Sequence, residues 1–274
     1  MKTLPYFSTI FLILLLAASE LSAQNGLPVV AGNRGLALGG AGVTFNDAYA
    51  VWTNPAGLGD MDRLGVNVSG EQRFGISELQ LVSLGAAIPT DFGGIGVSIS
   101  SFGFSTLRES RVGLSYGRRL APNFRIGVGL LGFNTAIEGY DSRFAATFSI
   151  GFQVDILPEL SVGFRAFSPL RVETVEGEYL PQLLSAGFSY NPNEKVTVLA
   201  EVHQDLDVTA RFRGGIEYSL SQELDLRFGV ASGPAEVSFG AGYFASENIR
   251  IEVAANYHET LGLSPGVGLV FRGE

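Results

Sequence analysis

The amino-acid sequence predicts an all-β fold, a fourteen-stranded antiparallel transmembrane β-barrel with an N-terminal hatch or plug segment. Three observations predict it: alternating segments repeat along most of the chain, charge is confined to one face of these segments, and an export signal precedes them. The 274 residues are 46% hydrophobic but only 16% charged, whereas soluble globular proteins carry about 25% charged residues. A protein surface so poor in charge favours contact with lipid.

Residues 1–23 are expected to be a secretory signal peptide. Lys2 supplies a positive charge ahead of the apolar run from Tyr6 to Ala18, and small residues precede a cleavage site near Ala23. This run is shorter than the roughly 20 residues that a membrane-spanning helix needs, so we expect cleavage rather than a helical anchor. The predicted location is the outer membrane of a Gram-negative bacterium.

Short alternating segments fill the chain from residue 62 to 274, the predicted barrel. Along 247–258, for example, Ile251 and Val253 alternate with Glu252. Because successive side chains of a strand point to opposite faces, each segment has one apolar and one polar face. The same pattern predicts strands near 64–72, 78–88, 93–103, 107–119, 124–135, 142–155, 159–167, 182–190, 195–204, 207–219, 223–231, 235–244, 247–258 and 265–272. The number is even, as in bacterial single-chain barrels.

The distribution of charge distinguishes this barrel from a soluble β-sandwich, which also alternates. In the five strands between 195 and 258 the interior positions of the apolar face carry no charge. Charge facing lipid costs about 2–4 kcal/mol near the bilayer midplane, whereas a lumen tolerates it. The opposite face holds the predicted luminal charges Glu201, Arg211, Arg213, Glu217, Asp225, Arg227, Arg250 and Glu252. They either line a polar path and contact a substrate headgroup, or pair across strands and with the hatch.

Several function classes find no support in the composition. The absence of cysteine excludes disulfides, thiolate metal sites, cysteine nucleophiles and a lipoprotein anchor. A net charge of −9, with Lys2 and Lys195 as the only lysines, is unlike a nucleic-acid-binding protein. His203 and His258 fall on non-adjacent predicted strands without a third ligand, so we expect no metal and no cofactor. No catalytic triad or carboxylate pair stands out, and we expect no enzyme.

Residues 24–61 form the predicted hatch inside the barrel. The segment is rich in glycine and alanine, contains the only tryptophan, Trp52, and lacks a long alternating run. Its glycines do not have the spacing of a phosphate-binding loop, so close backbone packing explains them better. Residues 47–52 are predicted to form a short helix that ends at the Asn54-Pro55 turn.

The stretch from Arg34 to Leu58, RGLALGGAGVTFNDAYAVWTNPAGL, resembles the N-terminal signature of the FadL-like outer-membrane superfamily. That superfamily includes long-chain fatty-acid transporters and the PorV/PorQ-type proteins associated with type IX secretion. The matching residues are Arg34, Gly39, Gly40, Ala41, Asp47, Ala50, Asn54, Pro55, Ala56, Gly57 and Leu58. The resemblance implies a fourteen-stranded barrel with an N-terminal hatch, in a member with short loops. The Asn54-Pro55-Ala56-Gly57 run is then either a gating element or a rigid turn that anchors the hatch.

A second candidate element lies in the third predicted strand, which contains Gly93, Gly94 and Gly96. Glycine within a strand often marks a bend or a close approach of backbone. The resemblance implies an inward kink that opens a lateral exit, and the alternative is that these glycines let the hatch approach the wall. With a periplasmic N-terminus, the largest extracellular loop is 168–181.

Three functions remain open at this stage. The first is passive transport or binding of a small hydrophobic compound. The second is a PorV/PorQ-type accessory role in type IX secretion, with secretion-machinery proteins as partners. The third is a structural barrel without a ligand. In each case the expected surroundings are outer-membrane lipid and the expected state is a monomeric barrel.

Overall fold

The computed structural model describes residues 32–175 and 177–273, so the predicted signal peptide and residues 24–31 lie outside the described residues. Within this part of the chain, fourteen strands form one closed antiparallel barrel. The barrel strands are β1 (Gly65–Gln72), β2 (Gln80–Thr90), β3 (Gly93–Gly103), β4 (Leu107–Ala121), β5 (Phe124–Ile137), β6 (Arg143–Leu157), β7 (Leu160–Phe167), β10 (Leu183–Asn193), β11 (Val196–Asp205), β12 (Arg211–Ser219), β13 (Leu224–Ala231), β14 (Glu236–Phe244), β15 (Ile249–His258) and β16 (Gly262–Arg272).

Each barrel strand pairs with its neighbours in chain order, apart from one inserted hairpin. That hairpin, β8 (Glu173–Val175) with β9 (Glu178–Tyr179), lies in the loop between β7 and β10 and was not predicted. β1 closes the barrel against β16 in a register that runs from Gly65 opposite Arg272 to Glu71 opposite Gly266. The predicted fourteen-stranded fold is therefore confirmed, with strand ends displaced by up to four residues, the largest shift being the start of β12.

The two faces of the barrel differ in polarity as the sequence predicts. Along β15, Ile251 and Val253 are exposed on the outer surface, whereas Arg250 and Glu252 are buried on the inner one. The same alternation runs along β13. An apolar outer band with a polar interior is the pattern of a transmembrane barrel.

Residues 32–64 precede the barrel and contain two short α-helices, α1 (Gly32–Ala37) and α2 (Ala50–Thr53), followed by a 3-10 helix, Pro55–Asp60. Residues 61–64 link the last of these to β1. No helix among the described residues is long and apolar enough to cross a membrane.

The helix expected at 47–52 is shorter than predicted, and α1 was not predicted. The backbone N–H of Tyr49 donates to the Asp47 carboxylate (2.9 Å), and the N–H of Ala50 donates to the Asp47 carbonyl (2.9 Å). These bonds form a turn at Asp47 and delay the start of the helix to Ala50, because side-chain bonds of aspartate compete with helical geometry.

Val253 and Leu261 offer a matched test of the membrane-facing surface. Val253 is in the middle of β15 and half exposed on the outer face, whereas Leu261 is equally exposed in the turn after β15. We expect Val253→Arg to lower the free energy of unfolding by about 2–4 kcal/mol and Leu261→Arg by about 0–1 kcal/mol. Urea titration of the protein folded into phosphatidylcholine vesicles measures both, and equal losses would contradict a bilayer-spanning β15.

Candidate functional site in the barrel lumen

The N-terminal segment fills part of the barrel lumen and contacts the inner wall on opposite sides. Leu38 lies against Gly215 and Gly229 of β12 and β13, and Pro55 lies against Gly117 and Gly127 of β4 and β5. At each of these wall positions a Cβ would overlap the segment. Glycines in the wall therefore let the two backbones approach, as the sequence suggested.

Gly39 and Gly40 allow a tight turn after α1. Both have left-handed backbone conformations, with φ of +67° and +81°. A Cβ at Gly39 would meet the backbone of Val230, so a larger residue would be both strained and obstructed. The turn brings the Gly40 carbonyl to Arg213, which donates to it at 3.3 Å.

A buried ionic network joins the segment to β12, β13 and β15. Arg34 donates to both oxygens of Glu217 (3.0 and 2.7 Å) and to Asp47 (2.6 Å). Arg227 bridges onward, donating to Glu217 at 2.6 Å and to Glu252 at 3.1 Å. The bidentate contact of Arg34 with Glu217 is the geometry in which arginine binds carboxylates most strongly.

The network extends to Tyr49 of the segment, whose hydroxyl donates to Glu252. Burial, with the neighbouring Glu252 carboxylate, raises the pKa of Tyr49 well above its ordinary value, so this phenol remains a donor. Burial alone would lower the pKa of Arg34, but Glu217 and Asp47 outweigh it and raise the pKa. Arg34 is therefore a permanent cation.

The remaining predicted luminal charges are also engaged. Glu201 accepts from the backbone N–H groups of Gly42 (2.9 Å) and Val43 (3.0 Å) and lies 3.4 Å from Arg213. Arg250 contacts Asp225 at 2.8 Å and Glu252 at 3.3 Å. Arg211 pairs with Glu236 at 2.8 Å, apart from the segment.

Asn54 ties the Asn54-Pro55-Ala56-Gly57 turn to both the segment and the wall. Its amide nitrogen donates to the Val43 carbonyl (2.8 Å) and lies 3.2 and 3.3 Å from the carbonyls of Phe164 and Phe152 on β7 and β6. Its side-chain oxygen accepts from the N–H of Ala56 (3.1 Å). Gly57 packs so closely on the Phe45 carbonyl that a Cβ there would overlap it.

Other contacts of the segment were missed by sequence reasoning. Asp60, at the end of the 3-10 helix, pairs with Arg125 and with Arg119 (2.6 Å). Gln153 donates to the carbonyl of Phe45 (3.0 Å), and Trp52 donates to Asn67 of β1 (2.8 Å). In the sequence, the wall residues of these contacts are marked only as polar residues on the inward face of a strand. They are Asn67, Arg125 and Gln153.

Two of the three glycines singled out in β3 also face the segment. Gly94 and Gly96 lie against Leu58, and Gly93 has φ of +137° at the turn that starts the strand. β3 pairs with β2 and β4 along its length without a register shift. The packing explanation accounts for these contacts, and the inward kink with a lateral exit stays a prediction.

An apolar cluster occupies the inner wall near the loop 168–181. It contains Leu131, Phe133, Ala145, Phe167, Leu180 and Leu183, with Val172 packed against it. Two buried arginines, Arg111 and Arg165, lie beside its aromatic rings. Neither arginine was singled out from the sequence.

A cavity of about 300 Å³ lies at the opposite end, where the segment meets the closing strands. Ala48 of the segment, Met61 of the link and Val270 of β16 contribute to its lining, together with Asp47 and Arg250. The last described residue, Gly273, bonds to Leu64 on this side of the barrel, which the sequence assigns to the periplasm.

The two histidines are placed apart. His203 contacts the Ser185 hydroxyl (2.8 Å), and the His258 ring accepts from the N–H groups of Thr260 and Leu261 (3.1 Å each). Among the described residues, no group of three histidine, aspartate or glutamate side chains is arranged to hold a metal ion.

Comparisons with solved structures identify the architecture. The CymD monoaromatic hydrocarbon channel matches with a TM-score of 0.69 at 12% identity, over 90% of this chain and 98% of its own. The toluene transporter TodX of Pseudomonas putida matches at 0.66 and 13%, over 90% and 98%. A FadL homologue of Pseudomonas aeruginosa matches at 0.59 and 13%, over 88% and 97%. The fold is that of a FadL-like barrel.

The resemblance stated from residues 34–58 is thus confirmed at the level of fold. No protein-family model and no curated protein matches the sequence of this FadL-like barrel.

The ionic network provides a prediction about the FadL-like barrel's stability. Glu217→Gln would leave Arg34 and Arg227 buried with one partner fewer, and we expect it to lower the free energy of unfolding by about 3–5 kcal/mol. Faster amide hydrogen exchange at Tyr49 should accompany the loss. Glu223→Gln is the control, because Glu223 is exposed and its side chain bonds only Ser221 among the described residues. Equal effects of the two substitutions would show that the network does not hold the segment.

Wall glycines provide a second prediction. Gly229→Ala places a methyl group against the backbone of Leu38 and Gly39, which cannot rotate away, so we expect a loss of about 1–3 kcal/mol in unfolding free energy. Gly70→Ala is the matched control, since no atom lies within 4 Å of its Cβ position, and a change within about 0.5 kcal/mol is expected. Urea titration in vesicles measures both, and a neutral Gly229→Ala would contradict the close packing.

Proposed function

We propose that this chain is an outer-membrane channel of a Gram-negative bacterium that binds and passively transports a small hydrophobic compound, and that residues 24–61 act as its hatch. The compound enters from the extracellular side, and the hatch shifts to let it pass along the lumen. Transport of this kind needs no cofactor and no catalytic residue.

The observation that carries the proposal is the apolar cluster in the extracellular half of the lumen. The interior of a transmembrane barrel is ordinarily polar, and most of the inner wall here follows that rule. Phe133, Phe167 and Leu183 depart from it, and Leu180 of the loop packs in the same buried cluster. An apolar lining at the entrance gives a hydrophobic compound a place to leave water.

The contacts of the hatch support a transport route along the barrel axis, from the extracellular side to the periplasm. In the described residues the hatch is held by ion pairs, hydrogen bonds and packing, all of which can exchange partners without breaking a covalent bond. The cavity beside Ala48 and Met61 gives a compound an exit toward the periplasm once the hatch has shifted. A lateral exit at β3 would instead require its continuous pairing with β2 and β4 to open.

The solved structures that share the fold support the same class of function. CymD is described as a monoaromatic hydrocarbon channel, and TodX as a toluene transporter. Both are channels for small apolar molecules, as proposed here.

Uptake into cells tests the proposal. Cells whose own channels for hydrophobic compounds have been deleted should take up radiolabelled octanol faster when they express this chain. Phe133→Gln removes apolar lining, and a loss of about 1.4 kcal/mol of binding should slow uptake about tenfold. Phe144→Gln, on the outer face of β6 and exposed, is the control and should leave uptake unchanged. Uptake equal to that of cells without the chain would overturn the proposal.

The secretion-accessory role makes a different prediction for the protein isolated from its own membrane. Mass spectrometry of the folded protein in mild detergent should detect a stoichiometric apolar compound if the chain is a transporter. A stoichiometric protein partner with no bound compound would favour the PorV/PorQ-type role and contradict the proposed function.

A further inference from the structure

We propose that the outer face of β4 carries a binding site for an anionic glycerophospholipid of the periplasmic leaflet. The Arg118 guanidinium would bind the phosphate of the headgroup, and the acyl chains would lie along the outer wall toward the bilayer midplane. The site is on the outside of the barrel, so it is independent of the lumen and of the compound that we propose to pass through it.

The outer face of the barrel carries very little charge. In the described barrel strands, all charged side chains except two are at inward-facing positions of the alternation. The exceptions are Arg108 and Arg118, both exposed and both on β4, where they share the outward face with Val112 and Leu114. A charge on this face is unfavourable near the bilayer midplane and tolerated near the interfaces. The depth of each arginine therefore decides what it can contact.

The two arginines lie at opposite edges of the apolar band. Positions 108 and 118 are ten residues apart, which corresponds to about 33 Å along a strand. At a strand tilt of about 35–45°, this is about 25 Å of depth, the height of the apolar band of such barrels. Arg118 is at the end of β4 that the sequence assigns to the periplasm. Its side chain therefore reaches the headgroup level of the periplasmic leaflet.

Arg118 has no anionic partner in the part of the chain that the structure describes. No described carboxylate lies within 4.0 Å of its guanidinium, whereas the next residue, Arg119, points inward and pairs with Asp60 (2.6 Å). The cross-strand neighbour of Arg118 on β5 is Ile126, which is apolar. A lipid phosphate is the anion found at this depth of a bilayer, and its oxygens match the guanidinium fork.

Apolar and aromatic side chains continue from Arg118 around the outer face at the same depth. Ile126 pairs with Phe152 on β6, and Phe152 pairs with Phe164 on β7. The rings of these two phenylalanines stack, with centroids 5.3 Å apart. Aromatic side chains concentrate at the membrane–water interface, so this row supports the depth assigned to Arg118.

On its other side, Arg118 lies beside the start of β3. The register of β3 with β4 brings Gly93 next to it, and Gly93 carries no side chain. Phe92, the residue before, is exposed, and its carbonyl accepts from the Tyr116 hydroxyl, which holds the turn against β4. The wall beside the guanidinium is therefore open to a headgroup. The exposed Leu114 continues the outer face toward the midplane, where acyl chains lie.

A tryptophan reporter beside Arg118 identifies the lipid that occupies the site. Ile126→Trp places an indole at the cross-strand neighbour of Arg118, and Phe271→Trp places one at the periplasmic end of β16, four strands from β4. The native Trp52 is fully buried in the lumen, so it contributes a constant emission. The full protein would be folded into vesicles of phosphatidylcholine and phosphatidylglycerol, in which one of the two lipids carries brominated acyl chains that quench adjacent indoles.

We expect phosphatidylglycerol to be preferred over phosphatidylcholine about fivefold at the Ile126→Trp reporter, with no preference at the Phe271→Trp reporter. Arg118→Gln should abolish the preference, and Arg118→Lys should retain part of it, because lysine keeps the charge without the fork. Lys195→Gln is the control for net charge. Lys195 is exposed in the turn after β10, so this substitution removes one positive charge from the same end of the barrel and should leave the preference unchanged.

Three results would overturn the lipid site. The first is equal quenching by the two lipids at Ile126→Trp, or a preference that Arg118→Gln leaves unchanged. The second is a preference of the same size at Phe271→Trp, which would show a general attraction of anionic lipid. The third is loss of the preference on addition of inorganic phosphate at constant ionic strength, which would show a free-anion site. Heat-dependent migration in gel electrophoresis verifies folding, and should Arg118→Gln not fold, Arg118→Lys takes its place and should reduce the preference.

Discussion

The hydrocarbon core of a membrane contains no water, so every backbone N–H and carbonyl that crosses it must be paired within the protein. Among β-structures only a closed sheet meets this requirement, and the pairing of β1 with β16 completes it here. Closure creates an inside that is shielded from lipid. The buried charged side chains of the described residues depend on this closure, because on the outer face they would contact hydrocarbon.

The N-terminal segment lies in direct contact with the inner wall of the lumen. Glycines on several strands remove the side chains that would otherwise fill the space, and the segment's backbone takes their place. This arrangement leaves backbone polar groups of an irregular segment in a buried location, which is unfavourable unless they are bonded. Asn54, Gln153, Arg165 and Glu201 reach in from the turn and the wall to bond them.

The fold could be predicted from the sequence because a two-residue period and the confinement of charge are local properties that persist over many strands. The site could be predicted only in part. Arg34 and Asp47 stand out through the resemblance. The pairing of Asp60 with Arg125 does not, because the two residues are distant in sequence and their contact depends on the position of the 3-10 helix. The pairing of Arg111 with Phe133 requires the register of β4 and β5. α1 has six residues, too few to show a periodic pattern.

The short link between the 3-10 helix and β1 limits how the lumen can open. Residues 61–64 can extend by at most about 14 Å, so the end of the segment at Asp60 stays near the barrel rim in any state. α1 is more than twenty residues from this tether and has a far larger range of travel. The hatch movement proposed above would therefore be anchored at Asp60 and would widen the lumen most on the side of β12 to β15, where Arg34 binds Glu217.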